Sequence, residues 1–230
     1  MPVIARPESL TATVLRHLRN SIVDGDIALG QPLYERTLAE ELGVSKTPVR
    51  EALAQLRMEG LVTIVPQKGA FVFSLSASEV AQICELRETL ENAALDYALS
   101  RNPEILLAAI AAAVASMDAA KAAGDERAYL AADTAFHQAF FDHCGNDYLR
   151  DAYRMFSAKI AALRTHLATK PLHTRKSFTE HHEILAAIET RDLERALAIL
   201  QVHIGRTKST YTDEIKDIAE ADRNASTATG

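Results

Sequence analysis

Apolar residues recur three and four positions apart along most of this chain, and the one stretch that breaks the rhythm lies between Leu61 and Phe73. Spacing of that kind puts them on one helical face. Val14, Leu15, Leu18, Ile22 and Val23 form the first such face, closed by Asp24-Gly25-Asp26, and read as a packing helix. A short helix follows at residues 35–42, with Leu38, Ala39 and Leu42 on one side and Gly43, a residue type that accepts left-handed backbone, at its end. Ser45 is suited to cap the next helix through its hydroxyl, and Pro48 falls early enough that its missing N–H costs little. That helix runs to about residue 59, with Val49, Ala52, Leu53 and Leu56 as its buried stripe, and Gly60 ends it. Residues 61–65 and 70–73 are β-rich and flank Pro66-Gln67-Lys68-Gly69, which predicts a hairpin with a basic tip.

Beyond Ser74 every periodic segment is helical. Six helices are expected, at about 79–100, 104–123, 126–143, 147–168, 172–190 and 193–218, separated by Gly124-Asp125, Gly145-Asn146, Lys170-Pro171 and Arg191-Asp192. Connections this short favour antiparallel neighbours in a bundle. The expected fold is therefore mainly α. A winged helix-turn-helix with a small β-hairpin wing occupies residues 1–74, a polar linker 75–78, and an all-α six-helix bundle 79–218; the small, polar residues 219–230 are expected to be a disordered tail.

Composition narrows what such a fold can do. The chain has 230 residues and 48% apolar content, enough to bury the cores of two modest domains. Its net charge of -6 argues against nucleic acid, but residues 1–75 hold eight Lys/Arg against eight Asp/Glu, so the acidic excess lies in the bundle. The first part is neutral overall, and DNA affinity would come from a local basic face: Lys46, Thr47, Arg50 and Arg57 lie outside the second helix, weighted towards the end that enters a major groove in helix-turn-helix proteins. Cys84 and Cys144 are the only cysteines and suit a reducing cytoplasm better than a disulfide framework. The longest apolar run, residues 105–117, is too short to span a bilayer, so a cytoplasmic protein without a membrane partner is expected.

Polar residues on faces that should be apolar carry the remaining chemistry. Arg87 and Glu91 fall one turn apart on the stripe of Val80, Ile83, Cys84, Leu90 and Ala94, either as an internal ion pair or with Arg87 facing a cavity as an anion binder. Asp133 and His137 share one face with Phe140 and Phe141, His181 points inward with Ile184, Leu185 and Ile188, and His203 lies on the stripe of Leu193, Ala196, Leu197 and Leu200. His182 is rotated about 100° away from the face of His181. Three imidazoles and a carboxylate from three helices suit a divalent first-row metal, zinc first, with nickel or manganese as other choices.

Two resemblances sharpen these readings. Leu38-Ala39-Glu40, Gly43-Val44-Ser45, Thr47-Pro48-Val49-Arg50-Glu51-Ala52-Leu53, Gly60-Leu61-Val62 and Gly69-Ala70-Phe71-Val72 resemble the DNA-binding domain of the GntR superfamily of bacterial transcription regulators. The resemblance implies operator contacts by Arg36, Lys46, Thr47, Arg50 and Gly69, with Ser45 and Lys68 as neighbours. At Lys46 the family most often has Arg, and a point charge there replaces a planar fork. Leu86-Arg87 with Leu90-Glu91, Asp133-xxx-His137, Gly145-Asn146-xx-Leu149, Glu180-His181 and His203-Ile204 are similar to the ligand-binding (FCD-type) domain of the FadR subfamily, in its shorter six-helix version. By that resemblance Asp133, His137, His181 and His203 take the places of metal ligands, the effector is a small carboxylate, and Arg87, with Arg164 by helical spacing, is a candidate to bind it.

The reading that joins both halves is a metabolite-responsive transcription regulator and repressor. Its partners would be double-stranded operator DNA, a small organic acid and a second copy of itself. A metal-dependent hydrolase or lyase is the competing class, because an open histidine-rich site can activate water; the chain has no HExxH pairing of ligands with a base. A DNA-binding dimer that senses nothing is the third, and it leaves the inward charges without a reason.

Overall fold

The computed structural model describes residues 8–227, with side-chain surroundings as far as residue 213 apart from position 171. The described residues form two compact units: 8–74 together with 156–163, and 75–155 together with 164–227.

In the first unit α1 (Leu10–Val23) packs on α3 (Lys46–Met58), with α2 (Glu35–Glu41) before it and β2 (Val62–Val65) and β3 (Gly69–Val72) after it. Leu18 and Ile22 of α1 and Val49, Leu53 and Leu56 of α3 are buried, as their helical spacing predicts, and so is Leu61 after the end of α3. Arg19 grips Glu59 at 2.8 and 2.6 Å, fastening α1 to the end of α3. At that end Gly60 has φ 71° and the Leu61 amide donates to the Leu56 carbonyl at 2.9 Å, the bond that closes a helix on a left-handed residue.

Two expectations are corrected here. Ser45 holds the N-cap position with extended backbone, but its hydroxyl makes no capping bond. The residue is exposed, and water can satisfy the free amides of the first turn. The hairpin also has a third strand, β1 (Pro32–Leu33), pairing antiparallel with β3 to give the order β1-β3-β2. Two residues are too few to show alternation, and Pro32 is tolerated because the strand is at an edge.

The second unit is built from α4 (Ala77–Arg101), α5 (Pro103–Ala123), α6 (Glu126–His143), α7 (Asp147–Ala168) apart from its residues 156–163, α8 (Pro171–Glu189) and α9 (Leu193–Thr227). The helix α4 begins inside the expected linker because Ser76 and Glu79 form a reciprocal capping box, with bonds of 3.2 and 2.8 Å. The helix α9 runs past residue 218. The sequence from 219 offers Ala, Glu, Asp and Arg but no Gly or Pro before 230, so nothing stops the helix, and the expected disordered tail is helical as far as Thr227; 228–230 lie outside the described residues.

The helix α5 as a whole, with a mean hydropathy of 1.7, is long and apolar enough to cross a membrane although the apolar run within it is not, and core helices of soluble proteins share that length and composition. Its Leu106, Ile110, Val114 and Met117 are buried, and it packs on α6 and α8. The helix α4 packs on α6 and α9, and α8 on α9, so inward residues of α4, α6, α8 and α9 converge.

Candidate functional site

The DNA-facing candidates lie on exposed surface. Lys46 and Thr47 open α3, Arg50 follows one turn on, and Lys68 and Gly69 sit at the tip of the wing, where Gln67 (φ 63°) and Gly69 (φ 107°) turn the chain. Arg36 on α2 pairs with Glu40 at 2.8 Å, and Arg50 pairs with Glu35 at 2.9 Å. Both pairs are solvent-exposed, so each holds its arginine only weakly and leaves it available to a phosphate or base. Arg57 is exposed near the other end of α3.

Inside the helical unit three imidazoles meet. One ring nitrogen each of His137, His181 and His203 can be chosen so that all lie within 4.8 Å of one another, and all three residues are buried. Their rings are close, with centroids 4.8 Å apart for His181 and His203 and 5.1 Å for His137 and His203. Phe136 covers His181 at 4.5 Å. Burial among apolar rings disfavours the charged imidazolium: His181 is pushed down to about 3, His203 falls well below its ordinary value with His181 and His137 adding to the effect, and His137 is lowered although Glu91 opposes it. At neutral pH the three are neutral and offer lone pairs, the form a metal requires.

Two of the rings are held from behind by carboxylates. His137 Nδ1 lies 2.8 Å from Glu91 Oε2 and His203 Nδ1 lies 2.9 Å from Glu180 Oε2. In each case Nδ1–H must donate, since an ionised carboxylate only accepts, and Nε2 is left as the lone pair. His181 has no hydrogen-bond partner on either nitrogen. Asp133 lies beside the three rather than among them, its Oδ1 3.4 Å from His181 Nε2 and its Oδ2 3.0 Å from Arg164 Nε without hydrogen-bond alignment.

The cations complete the site. Arg87 Nε binds Glu91 Oε1 at 2.5 Å, and its Nη2 lies against the His137 ring, 3.0 Å from Nε2 and 3.3 Å from Nδ1. Burial alone would raise the Glu91 carboxyl, but Arg87 and His137 outweigh it and take it down to about 2. Asp133 is likewise lowered, Arg164 and His181 overcoming its burial. Arg87 Nη1 and Arg164 Nη1 are buried without partners. Unpartnered buried guanidinium N–H groups and an unpartnered imidazole are costly, so their presence together marks a site that something else completes. Three neutral imidazoles backed by carboxylates fit a divalent first-row ion.

Residues 82–206 match the FCD domain family and residues 10–72 match the gntR family of bacterial regulatory proteins. The chain belongs to the GntR regulators that carry an FCD domain. It is 29% identical over 201 residues to the HTH-type transcriptional repressor GlaR of Escherichia coli K12, covering 82% of this chain and 90% of that one. The gluconate operon transcriptional repressor of Bacillus subtilis 168 is 27% identical, over 89% and 84%. Among solved structures, E. coli McbR/YncC superposes with a TM-score of 0.77 at 23% identity, over 91% of this chain and all of that one, and a GntR regulator from Rhodococcus sp. RHA1 with 0.78 at 24%, over 88% and 97%. These two share the fold. The protein is thus a DNA-binding transcriptional regulator of a repressor-like family, not an enzyme, and the hydrolase or lyase alternative is set aside.

Within this FCD domain, helical phase alone found the inward histidines, and it separated His181, buried, from His182, which is half-exposed and bonds the Phe178 carbonyl and Asp118. Sequence reasoning missed Glu180 and Arg206 as parts of the site. Arg206 binds both oxygens of Glu180 and donates to the His173 carbonyl at 3.1 Å, so it fixes the carboxylate that orients His203. The signal was present: Glu180 precedes His181, and Arg206 follows His203 by three, one turn of α9. A cavity of about 20 Å³ touches Asp133, Arg164, His173 and His203, room for about one water. A much larger open cleft, about 360 Å³, lies outside the His173 and Arg206 wall, with Lys170 and Lys176 on its rim. We place the chemistry at the buried cluster, because size without converging unpartnered donors recognises nothing.

Proposed function

We propose that this regulator is a metabolite-responsive repressor of the FadR type that works in the cytoplasm as a homodimer on a two-half-site operator. Its FCD domain holds one divalent metal, zinc first among first-row ions, and binds a small carboxylate that releases the DNA. The observation that carries this reading is the set of three buried, neutral histidines whose ligand atoms lie within 4.8 Å of one another. His137, His181 and His203 would hold the ion, with Asp133 adjacent, and the ion would supply a Lewis-acidic position for a carboxylate oxygen. Arg87 and Arg164 contribute the buried N–H groups that have no partner, which pair naturally with carboxylate oxygens. Arg36, Ser45, Lys46, Thr47, Arg50, Lys68 and Gly69 form the operator face. The gluconate operon repressor among the relatives supports a sugar acid, beside hydroxy acids and dicarboxylates, as the class to screen.

A dimer that only binds DNA would have no use for buried, unpartnered arginine nitrogens. The deciding experiment is a thermal-shift screen of metal-loaded protein against small organic acids, followed by titration of the best hit into a fluorescence-anisotropy assay with operator DNA selected from a random pool. The hit should raise the unfolding midpoint and release the DNA, and chelation should abolish the release. Release that survives chelation and Arg87→Ala places the effector elsewhere.

A further inference from the structure

The small cavity beside the histidines is lined not only by the charged groups Asp133 and Arg164 but also by the hydroxyls of Tyr129, Thr174, Ser177 and Thr207. Tyr129, on α6, is 7% exposed, yet its hydroxyl has no aligned hydrogen-bond partner. Burial first and then Asp133 raise the pKa of this phenol, with the Ser177 hydroxyl beside it opposing them, so it keeps its proton and stands as a donor. The two threonines differ. Their hydroxyls turn back to backbone carbonyls, of Ala168 at 3.2 Å and of His203 at 3.5 Å, and so present oxygen lone pairs as acceptors. The cavity therefore joins unpartnered donors, on Tyr129 and Arg164 Nη1, to acceptors. A carboxylate only accepts, so it answers the donors and leaves the acceptors bare. A molecule that also carries hydroxyls answers both.

We propose that Tyr129, Ser177 and Thr207 are specificity-determining residues of the effector site, and that they select an acid with a hydroxyl one or two carbons from its carboxylate over the same acid without it. The proposal rests on the reading that the effector acid binds at this cluster. The short separation follows from the cavity itself, whose lining groups face one space of about 20 Å³, the size of a water. An acid needs more room than that, and the room lies behind Tyr129. Together with Thr174, Tyr129 also borders an open cleft of about 220 Å³ next to Lys121 and Phe178. Turning the Tyr129 side chain breaks no aligned hydrogen bond, whereas the His173 wall towards the larger basic cleft is fixed by Arg206, which bonds Glu180 and the His173 carbonyl. The remainder of the acid extends past Tyr129 into the nearer cleft, with the phenol at the neck between the two spaces.

The test titrates metal-loaded, full-length protein by calorimetry with acids in pairs that differ only in hydroxyls: malate and succinate, lactate and propionate, gluconate and hexanoate. The tightest-binding pair decides. A buried donor or acceptor left without its partner penalises the member that lacks the hydroxyl, so the hydroxy acid should bind about ten- to hundredfold tighter. Tyr129→Phe removes one oxygen from a buried ring, and it should shrink that preference to about threefold or less by weakening the hydroxy acid alone. Ser177→Ala and Thr207→Val should shrink it in the same direction. A purely structural role for these side chains would shift both members of the pair alike. Equal affinities within the deciding pair, or a preference that Tyr129→Phe and Ser177→Ala both leave intact, overturns the proposal. Failure of every acid to bind, or binding that Arg87→Ala leaves unchanged, overturns instead the reading beneath it.

Discussion

Replacing Glu91 by Gln tests how the buried cluster is held together. The substitution keeps the shape and an oxygen for His137 Nδ1–H but removes the carboxylate that binds Arg87, which is 1% exposed. Two routes give the size of the effect. Removing one partner of a buried pair costs ~3–5 kcal/mol, because the other charge stays behind uncompensated. Independently, a carboxyl held at about 2 instead of 4.5 stabilises the fold at neutral pH by ~3 kcal/mol, at about 1.4 kcal/mol for each tenfold change in acidity. The agreement sets an expectation of ~3 kcal/mol. Its pH dependence has a fixed sign: a lowered carboxyl contributes fully above its unfolded value near 4.5, and the contribution is lost as pH falls towards 2. Glu91→Gln has no such group, so the gap between wild type and variant should be widest at neutral pH and close as acid is added. Urea unfolding of chelator-treated protein, followed by far-UV circular dichroism at a series of pH values, measures both. A gap below ~1 kcal/mol that does not change with pH would mean that Glu91 is not ionised beside Arg87, and the charge count behind the site would fall with it.

Other perturbations address separate parts of the molecule. Arg50→Ala should weaken operator binding by ~1–3 kcal/mol in gel shifts with an unchanged circular dichroism spectrum; unchanged affinity removes Arg50 from the interface. His203→Ala should lose the metal in elemental analysis of protein purified without chelator, whereas His182→Ala should keep it, since His182 is half-exposed and bonds Phe178 and Asp118; the reverse result places the ligands on another helix face. Arg206→Met should lower zinc affinity by about ten- to hundredfold by freeing Glu180 from its grip, and no change would mean that His203 needs no support. Ser76→Ala removes one half of the capping box of α4 and should cost ~1 kcal/mol in thermal or urea unfolding, and a cost near zero would show that helix packing, not the cap, sets where α4 starts.

Most of the fold was legible because its signals are local. Helical period, Gly43 and Gly60 at helix ends and the β-rich pair around Pro66 each state their structure within a dozen residues. The strand at Pro32 and the continuation of α9 were not legible, for opposite reasons. A two-residue strand exists only through its partner Phe71 and Ala70, and the polar tail resembled a disordered segment in composition while containing no residue that breaks a helix. Expected helix ends shifted where a cap decided them, as at Ser76. Conversely, the hydroxyl of Ser45 was expected to cap and does not, since an exposed helix start has water as an alternative.

The candidate site divides along the same line. Which residues point inward is a property of one helix, and the phases of Arg87, Asp133, His137, His181 and His203 follow from their spacing to apolar neighbours. Which of them touch is a property of four helices packed together. The sequence pairs Arg87 with Glu91 at one turn, yet in the fold Glu91 divides itself between Arg87 and His137, and Arg87 reaches across to the same ring. That triangle is what spacing cannot show. It also gives the inward charges a purpose that an ion pair within α4 would not: an Arg–Glu pair closed on itself would leave His137 Nδ1–H without an acceptor, whereas a shared Glu91 fixes the ring and the guanidinium together. A change at any one of the three is therefore felt by the other two, and this is the kind of local event that a regulator can convert into a change in its grip on DNA.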